Sequence, residues 1–261
     1  MYSVENFLQD KKIKLYLILC SVFITNAILA EIVGAKIFSL ESTLGFSPVC
    51  WRIGEKTYSF NLTAGVLLWP FVFVTSDLIN EYYGKRGVRI ISFLTAALIA
   101  YMFLMIWGIT KLVPASFWLD MYQKDSEGNA LNINESFTII FQQGLGIMIG
   151  SIVAFLIGQL LDVITFQYVR RMTGARFLWL RATGSTLISQ LIDSFVVLLV
   201  AFYWFGNWKI EDVLAVCIVN YTYKALVALL MTPILYWVHY TIDFYLGKEL
   251  AQEMTRSAAI G

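Results

Sequence analysis

The 261-residue chain has one histidine, three cysteines and four prolines. A lone histidine, His239, leaves no means of building a multi-histidine metal centre or a histidine-based triad. Cys20, Cys50 and Cys217 stand in no CxxC or metal-like spacing, so neither a disulfide scaffold nor a zinc site is expected. Charge is scarce as well. Only 14% of residues are charged, and 19 Lys and Arg face 18 Asp and Glu. Nucleic-acid binders carry a basic excess, so no nucleic-acid partner is expected. There is no phosphate loop or Gly-rich nucleotide fingerprint, and no cofactor is expected. Apolar residues, by contrast, are abundant. Hydrophobic residues make up 59% of the chain, above the about 45–50% of a soluble protein. The remaining class is all-α and polytopic, with the lipid bilayer as its surroundings.

A membrane-crossing helix needs about 20 mostly apolar residues. Six stretches qualify, near Leu15–Phe38, Leu62–Tyr83, Val88–Val113, Gly144–Val169, Ala182–Phe205 and Val213–Tyr240. They are too long and continuous for the alternating strands of a β-barrel. The first is not a signal peptide, because its apolar part exceeds an h-region and carries Asn26 and Glu31. One six-span domain, 1–261, is therefore expected, with a leading segment 1–14, a long external loop 114–136 and a tail 241–261.

Lys and Arg are retained on the cytoplasmic side of a membrane. Twelve of them fall in the leading segment, the second-to-third turn, the fourth-to-fifth loop (Arg170, Arg171, Arg176, Arg181) and the tail, against five on the opposite side. Both termini are thus expected in the cytoplasm. The first-to-second loop, with Gly45, Pro48, Trp51 and Gly54, reads as a β-turn or hairpin, and Phe137–Phe141 as an interfacial helix. Gly144, Gly146 and Gly150 permit close helix approach or a local break. Pro70 and Pro233 are expected to kink the second and sixth spans.

Function must reside in the polar residues that the spans tolerate. An ionisable group near the bilayer centre costs roughly 2.5–3.5 kcal/mol on insertion scales, so it faces a cavity or a partner. These residues are Asn26 and Glu31, then Asp77, Asn80 and Glu81, Gln159 and Asp162, Gln190 and Asp193, and finally Asn220 and Lys224. Asp77, Asn80 and Glu81 share a helix face, as do Gln159 with Asp162 and Gln190 with Asp193. Glu81, beside Tyr82, Tyr83 and Lys85, reads as an interface anchor or as part of a gate. Glu31 reads as a bundle-holding ion pair or a proton-linked group. Asp193 and Lys224 read either as one structural ion pair or as part of a ligand site. Carboxylates outnumber bases within the spans, so the set points to a polar cavity. Trp69, Phe71, Phe73, Tyr101, Tyr221 and Tyr223 are candidates to stack on a flat ligand, with Trp69 first among them.

The run Pro70-Phe71-Val72-Phe73-Val74-Thr75-Ser76-Asp77-Leu78-Ile79-Asn80-Glu81-Tyr82-Tyr83-Gly84-Lys85-Arg86 resembles the hallmark of the queuosine precursor transporter family (YhhQ-type), once described as vitamin uptake transporters. Asn26-Ala27-Ile28-Leu29-Ala30 with Lys36, Gln190-Leu191-Ile192-Asp193-Ser194, Asn220-Tyr221-Thr222-Tyr223-Lys224 and Thr232-Pro233 follow the same pattern in order.

The resemblance implies a bacterial inner-membrane importer of a 7-deazaguanine base, of the 7-cyano or 7-aminomethyl type. It also implies a fold like the substrate-binding subunits of energy-coupling-factor transporters, acting without their ATPase, and no enzymatic activity. Substrate binding would fall to Asn26, Trp69, Asp77, Gln159, Asp162, Gln190, Asp193, Asn220, Tyr221 and Lys224. Asp193 and Gln190 would read one edge of the base, Asp77 and Asp162 would tune the cytoplasmic gate or carry protons, and Glu31, Asn80 and Glu81 would gate the site or carry protons. Three alternatives stand beside this. One is a binding subunit docking an ATPase partner through the small residues Ala27, Ala30, Gly34 and Ala35. The second is an intramembrane aspartyl hydrolase using Asp162 and Asp193, and the third is a channel. The apolar third span and the small-residue faces permit a homodimer.

Overall fold

The computed structural model describes residues 10–48, 51–53, 56–59, 61–121, 123–124, 128–141, 145–173, 177–204 and 209–260. Cys50, Gly54, Gly144, Arg176 and Phe205 lie outside the described residues. Helix α1 (Lys11–Val33) begins at Asp10, whose carboxylate accepts from the Lys12 backbone N–H. Its buried face repeats at helical spacing through Leu15, Leu19, Phe23, Ala27 and Ala30, while Leu17, Ile18, Val22 and Leu29 are exposed. The helix ends five residues before the expected Phe38, because strand β1 (Ile37–Ser39) is drawn into an antiparallel pair with β4 (Asn61–Thr63). Between them lie a helical turn, α2 (Leu40–Thr43), capped by the Ser39 hydroxyl, and the expected hairpin, β2 (Trp51–Ile53) with β3 (Lys56–Tyr58).

Leu62 therefore belongs to a strand, and the second helical run starts later than expected. After a 3₁₀ turn at Ala64–Leu67, helix α3 runs from Trp69 to Ile109. Pro70 lies in its first turn, where the missing N–H has no intrahelical partner to lose. The expected kink at Pro70 is thus replaced by a helix start. The break comes instead at Gly84, whose φ of 69° and ψ of −174° are open only to glycine. It splits α3 into arms 69–83 and 85–109. The second arm buries Val88, Ile91, Ile99 and Phe103 and exposes Ile90, Phe93, Leu94 and Leu104, as the apolar third span predicts.

Short helices α4 (Ser116–Met121) and α5 (Ile133–Phe141) follow, then α6 (Leu145–Thr173), α7 (Leu178–Leu198) with a π-helical extension at Leu199–Trp204, and α8 (Ile210–Leu246). Helix α8 runs on through Pro233. The expected tail is structured: Gly247 (φ 86°) turns the chain into α9 (Lys248–Ile260), which buries Ala251, Met254 and Ala258 on one face.

Among the described residues, Lys11–Val33, Trp69–Ile109, Gly150–Thr173 and Ile210–Leu246 are long and apolar enough to cross a membrane. The chain is an α-helical, multi-pass membrane protein. Helix α7 is not in that set because hydroxyl and amide side chains line it, and it packs closely along α6. One core, including Phe23, Val72, Ile79, Phe155, Phe166 and Leu235, joins the long helices.

Candidate functional site

The polar residues converge along the middle of the bundle in three zones. The first is a cavity of about 320 Å³ beside the β1–β4 pair. Glu31, Asp193, Asn220 and Lys224 supply its polar lining, and Trp69 and Phe155 its aromatic one. Lys224 Nζ lies 2.6 Å from Asp193 Oδ2, and both side chains remain partly exposed to the cavity. Ser151 Oγ donates to Glu31 Oε1. Trp69 stacks on Phe73 at 5.9 Å and meets Phe155 at 5.8 Å, which fixes its indole at the cavity wall. The volume lies in the range of small-molecule sites, about 300–1,000 Å³.

Small residues make room for this cavity. A Cβ built on Gly65 would stand 2.3 Å from the Ala30 carbonyl oxygen, so the 3₁₀ turn can meet α1 only with glycine there. Ala27 and Ala30 are buried, and Gly34 and Ala35 line the cavity. Of the stripe weighed for docking a partner chain, Ala27 and Ala30 are taken up inside the bundle.

The second zone lies deeper and shares Val66, Trp69 and Lys224 with the first. Asp77, Thr183, Thr186 and Gln190 border it, and Phe73 and Tyr223 supply aromatic faces. Its open volume of about 30 Å³ is room for a single water. Asp77 Oδ1 and Gln190 Nε2 are buried and make no hydrogen bond. Behind it, Asp162 is fully buried and accepts from Ser185 Oγ (2.9 Å) and Ser189 Oγ (3.4 Å). Gln159 accepts from Ser76 Oγ at 3.0 Å, and Asn80 accepts from Gln167 Nε2 at 2.6 Å.

The third zone closes the far end. Glu81 is 3% exposed and bridges two guanidiniums, Arg181 at 2.8 Å and Arg170 at 3.4 Å. Arg170 also donates to the carbonyls of Glu81 and Thr255, tying α6 to α3 and α9. Gly84 lies against Ala258, where an added Cβ would sit 3.0 Å from a carbonyl oxygen. Tyr82 donates to Asp243 Oδ1 at 2.6 Å.

Several expectations are corrected by this geometry. Asn26 does not line either central cavity; its Nδ2 donates to the Val22 carbonyl one turn back on its own helix. Tyr221 also lies outside both cavities, and Tyr223, two residues on, lines the deeper one. Phe71 and Tyr101 are exposed on the bundle's outside. Asp193 and Gln190, expected to read one edge together, border different cavities. Asp162 and Asp193 are held by different partners, serines in one case and a lysine in the other, which is not the shared site of an aspartyl dyad. Glu81 is buried and doubly ion-paired rather than anchored at an interface. Arg170 and Arg181, counted with a loop by their charge, sit in α6 and α7 at 6% and 2% exposure.

The hydroxyl groups of α7 are absent from the expected set. Thr183, Thr186 and Gln190 recur at helical spacing, as do Ser185 and Ser189, and that period is the signal of a polar stripe inside a span.

A family model described as "Putative vitamin uptake transporter" matches residues 63–238. A "Probable queuosine precursor transporter" of Bacillus subtilis (strain 168) is 31% identical over 198 residues, covering 74% of this chain and 80% of the relative. A protein of the same name from Haemophilus influenzae (strain ATCC 51907 / DSM 11121 / KW20 / Rd) is 26% identical, covering 67% and 66%. The "Queuosine precursor transporter" of Escherichia coli (strain K12) is 25% identical, covering 69% and 73%. No solved structure gives a significant match.

Proposed function

The chain belongs to the family described as "Putative vitamin uptake transporter", and we propose that it imports a queuosine precursor, a 7-deazaguanine base of the 7-cyano or 7-aminomethyl type. It is a membrane transporter, not an enzyme. The observation that carries the substrate reading is the 320 Å³ cavity, where carboxylates, an ammonium and an amide meet beside an immobilised indole. A 7-deazaguanine has a flat, neutral ring, with donors and an acceptor along its guanine edge. Glu31 or Asp193 accepts from the ring N–H and exocyclic amine. Lys224 or the Asn220 amide donates to the carbonyl oxygen, and Trp69 covers a ring face. The Asp193–Lys224 bond opens to admit the base, so each ion exchanges one partner for another rather than losing one.

Six crossings follow from counting the two arms of α3 separately and adding α7, which leaves both termini on one side, the cytoplasmic one by the Lys and Arg bias. The fold then parallels the substrate-binding subunits of energy-coupling-factor transporters. The strand-side cavity faces outward. Trp69 and Lys224, shared by both cavities, form the partition that the base crosses in alternating access.

The test is uptake of radiolabelled 7-cyano-7-deazaguanine into cells that cannot synthesise it. Uptake should saturate, be competed by unlabelled base, and fall at least about tenfold in Asp193→Asn and in Lys224→Met, the loss of one charge-assisted bond. Unchanged uptake in both variants, or uptake no greater than in cells lacking the chain, would refute the assignment.

A further inference from the structure

We propose that Asp77 and Asp162 together hold one transferable proton, and that this proton crosses the membrane with the substrate. The inference rests on the transport function proposed above and adds the coupling ion.

Helices α3 and α6 bring these two carboxyls to one hydroxyl-lined patch of α7. Asp77 is 4% exposed and Asp162 not at all. Thr186 lies between them: its Oγ1 is 3.5 Å from Asp77 Oδ2, and its neighbour on α7, Ser185, donates to the Asp162 carboxyl. Ser185 and Ser189 serve only one oxygen of Asp162. Asp77 Oδ1 and Asp162 Oδ2 have no hydrogen-bond partner.

The cations nearby are already engaged. Arg181 of α7, whose field reaches Asp77, is bonded to Glu81, as is Arg170 of α6. Lys224 of α8, which borders the same cavity as Asp77, is bonded to Asp193. Among the described residues, neither Asp77 nor Asp162 forms an ion pair. Two adjacent carboxylates without a cation cannot both stay ionised out of water. One proton shared by the pair removes the repulsion.

The deeper cavity gives that proton its route. It holds room for one water, borders Asp77 and Thr186, and adjoins the strand-side cavity at Trp69 and Lys224. With the proton on Asp162, Asp77 is free as a carboxylate to accept from the donors of the arriving base, and Gln190 Nε2 donates to its carbonyl oxygen. The bound base also displaces the water beside Asp77, and a drier pair of carboxyls holds its proton more tightly, so substrate binding and proton retention favour each other. When the far side opens, water reaches the pair, and base and proton leave in the same direction. No bond other than O–H is made or broken.

The test uses the purified full chain in proteoliposomes with labelled 7-cyano-7-deazaguanine and a pH-sensitive dye inside. An inside-alkaline gradient should drive accumulation up to about tenfold per pH unit for one proton per base. A protonophore should abolish that accumulation, and adding the base should acidify the lumen. Asp162→Asn should lose both the gradient-driven accumulation and the lumenal acidification. Exchange by the wild type without any response to the gradient, or without lumenal acidification, would overturn the coupling even if no variant folds. A wild type that cannot exchange the base at all would overturn the substrate reading, and the coupling with it.

Discussion

Substituting Glu81 with Gln removes the one carboxylate that two buried guanidiniums share. The three side chains expose 4%, 6% and 3% of their surface for Glu81, Arg170 and Arg181, so water cannot replace the lost charge. Breaking a buried ion pair by deleting one partner costs about 3–5 kcal/mol, largely because the surviving charge is left uncompensated. Here two like charges survive, facing one another. Arg170 keeps its bonds to the Glu81 and Thr255 carbonyls, which offsets part of the loss on its side. The expected destabilisation of Glu81→Gln is thus about 3 kcal/mol, and that of Glu81→Ala is larger, because a cavity is added. The assay is reversible unfolding of the purified protein in mixed micelles with increasing SDS. The internal control is the Lys12–Glu253 pair, 3.0 Å long but with side chains 39% and 64% exposed. Its removal by Glu253→Gln should cost less than about 1 kcal/mol. If Glu81→Gln unfolds within about 0.5 kcal/mol of the wild type, the far end of the bundle is not closed by this ion triad, and α9 is held by its apolar face alone.

Three further outcomes follow from close contacts and cavity walls. Gly84→Ala forces a side chain onto a backbone at φ 69° and against the Ala258 carbonyl; it should cost about 1–3 kcal/mol and raise protease cleavage within α9, read by a thermal melt and a gel. Gly65→Ala pushes a methyl to within 2.3 Å of the Ala30 carbonyl oxygen and should separate the 3₁₀ turn from α1, costing about 1–3 kcal/mol in the same SDS titration. Tyr223→Ala should lower base uptake several-fold, whereas Tyr221→Ala, outside both cavities, should leave it within about twofold of wild type; the reverse order would contradict the placement of the cavity wall.

What the chain alone reveals separates along a physical line. A charge or amide inside an apolar run carries a cost that is visible locally, and that cost is enough to mark Glu31, Asp77, Gln190, Asp193, Asn220 and Lys224. The Asp193–Lys224 pair is legible for the same reason, as one acid and one base in successive spans. The identity of a partner is not local. Glu81 finds Arg170 and Arg181 across 89 and 100 residues. Nothing in the arginines' own neighbourhood distinguishes them from loop residues that count towards membrane orientation. Asn26 shows the converse: an amide in a span satisfies itself on the preceding turn of its own helix, an option every helical Asn has. Backbone breaks are hard to place from residue type because they depend on helix phase. Pro70 breaks nothing because the β1–β4 pair delays the helix to Trp69, whereas Gly84, a single glycine within a helical run, bears the non-helical angles. Striking Arg170 and Arg181 from the cytoplasmic tally leaves ten Lys and Arg against five, so the bias stands on the remaining side chains. The two removed serve instead to hold the far end of the bundle shut through Glu81.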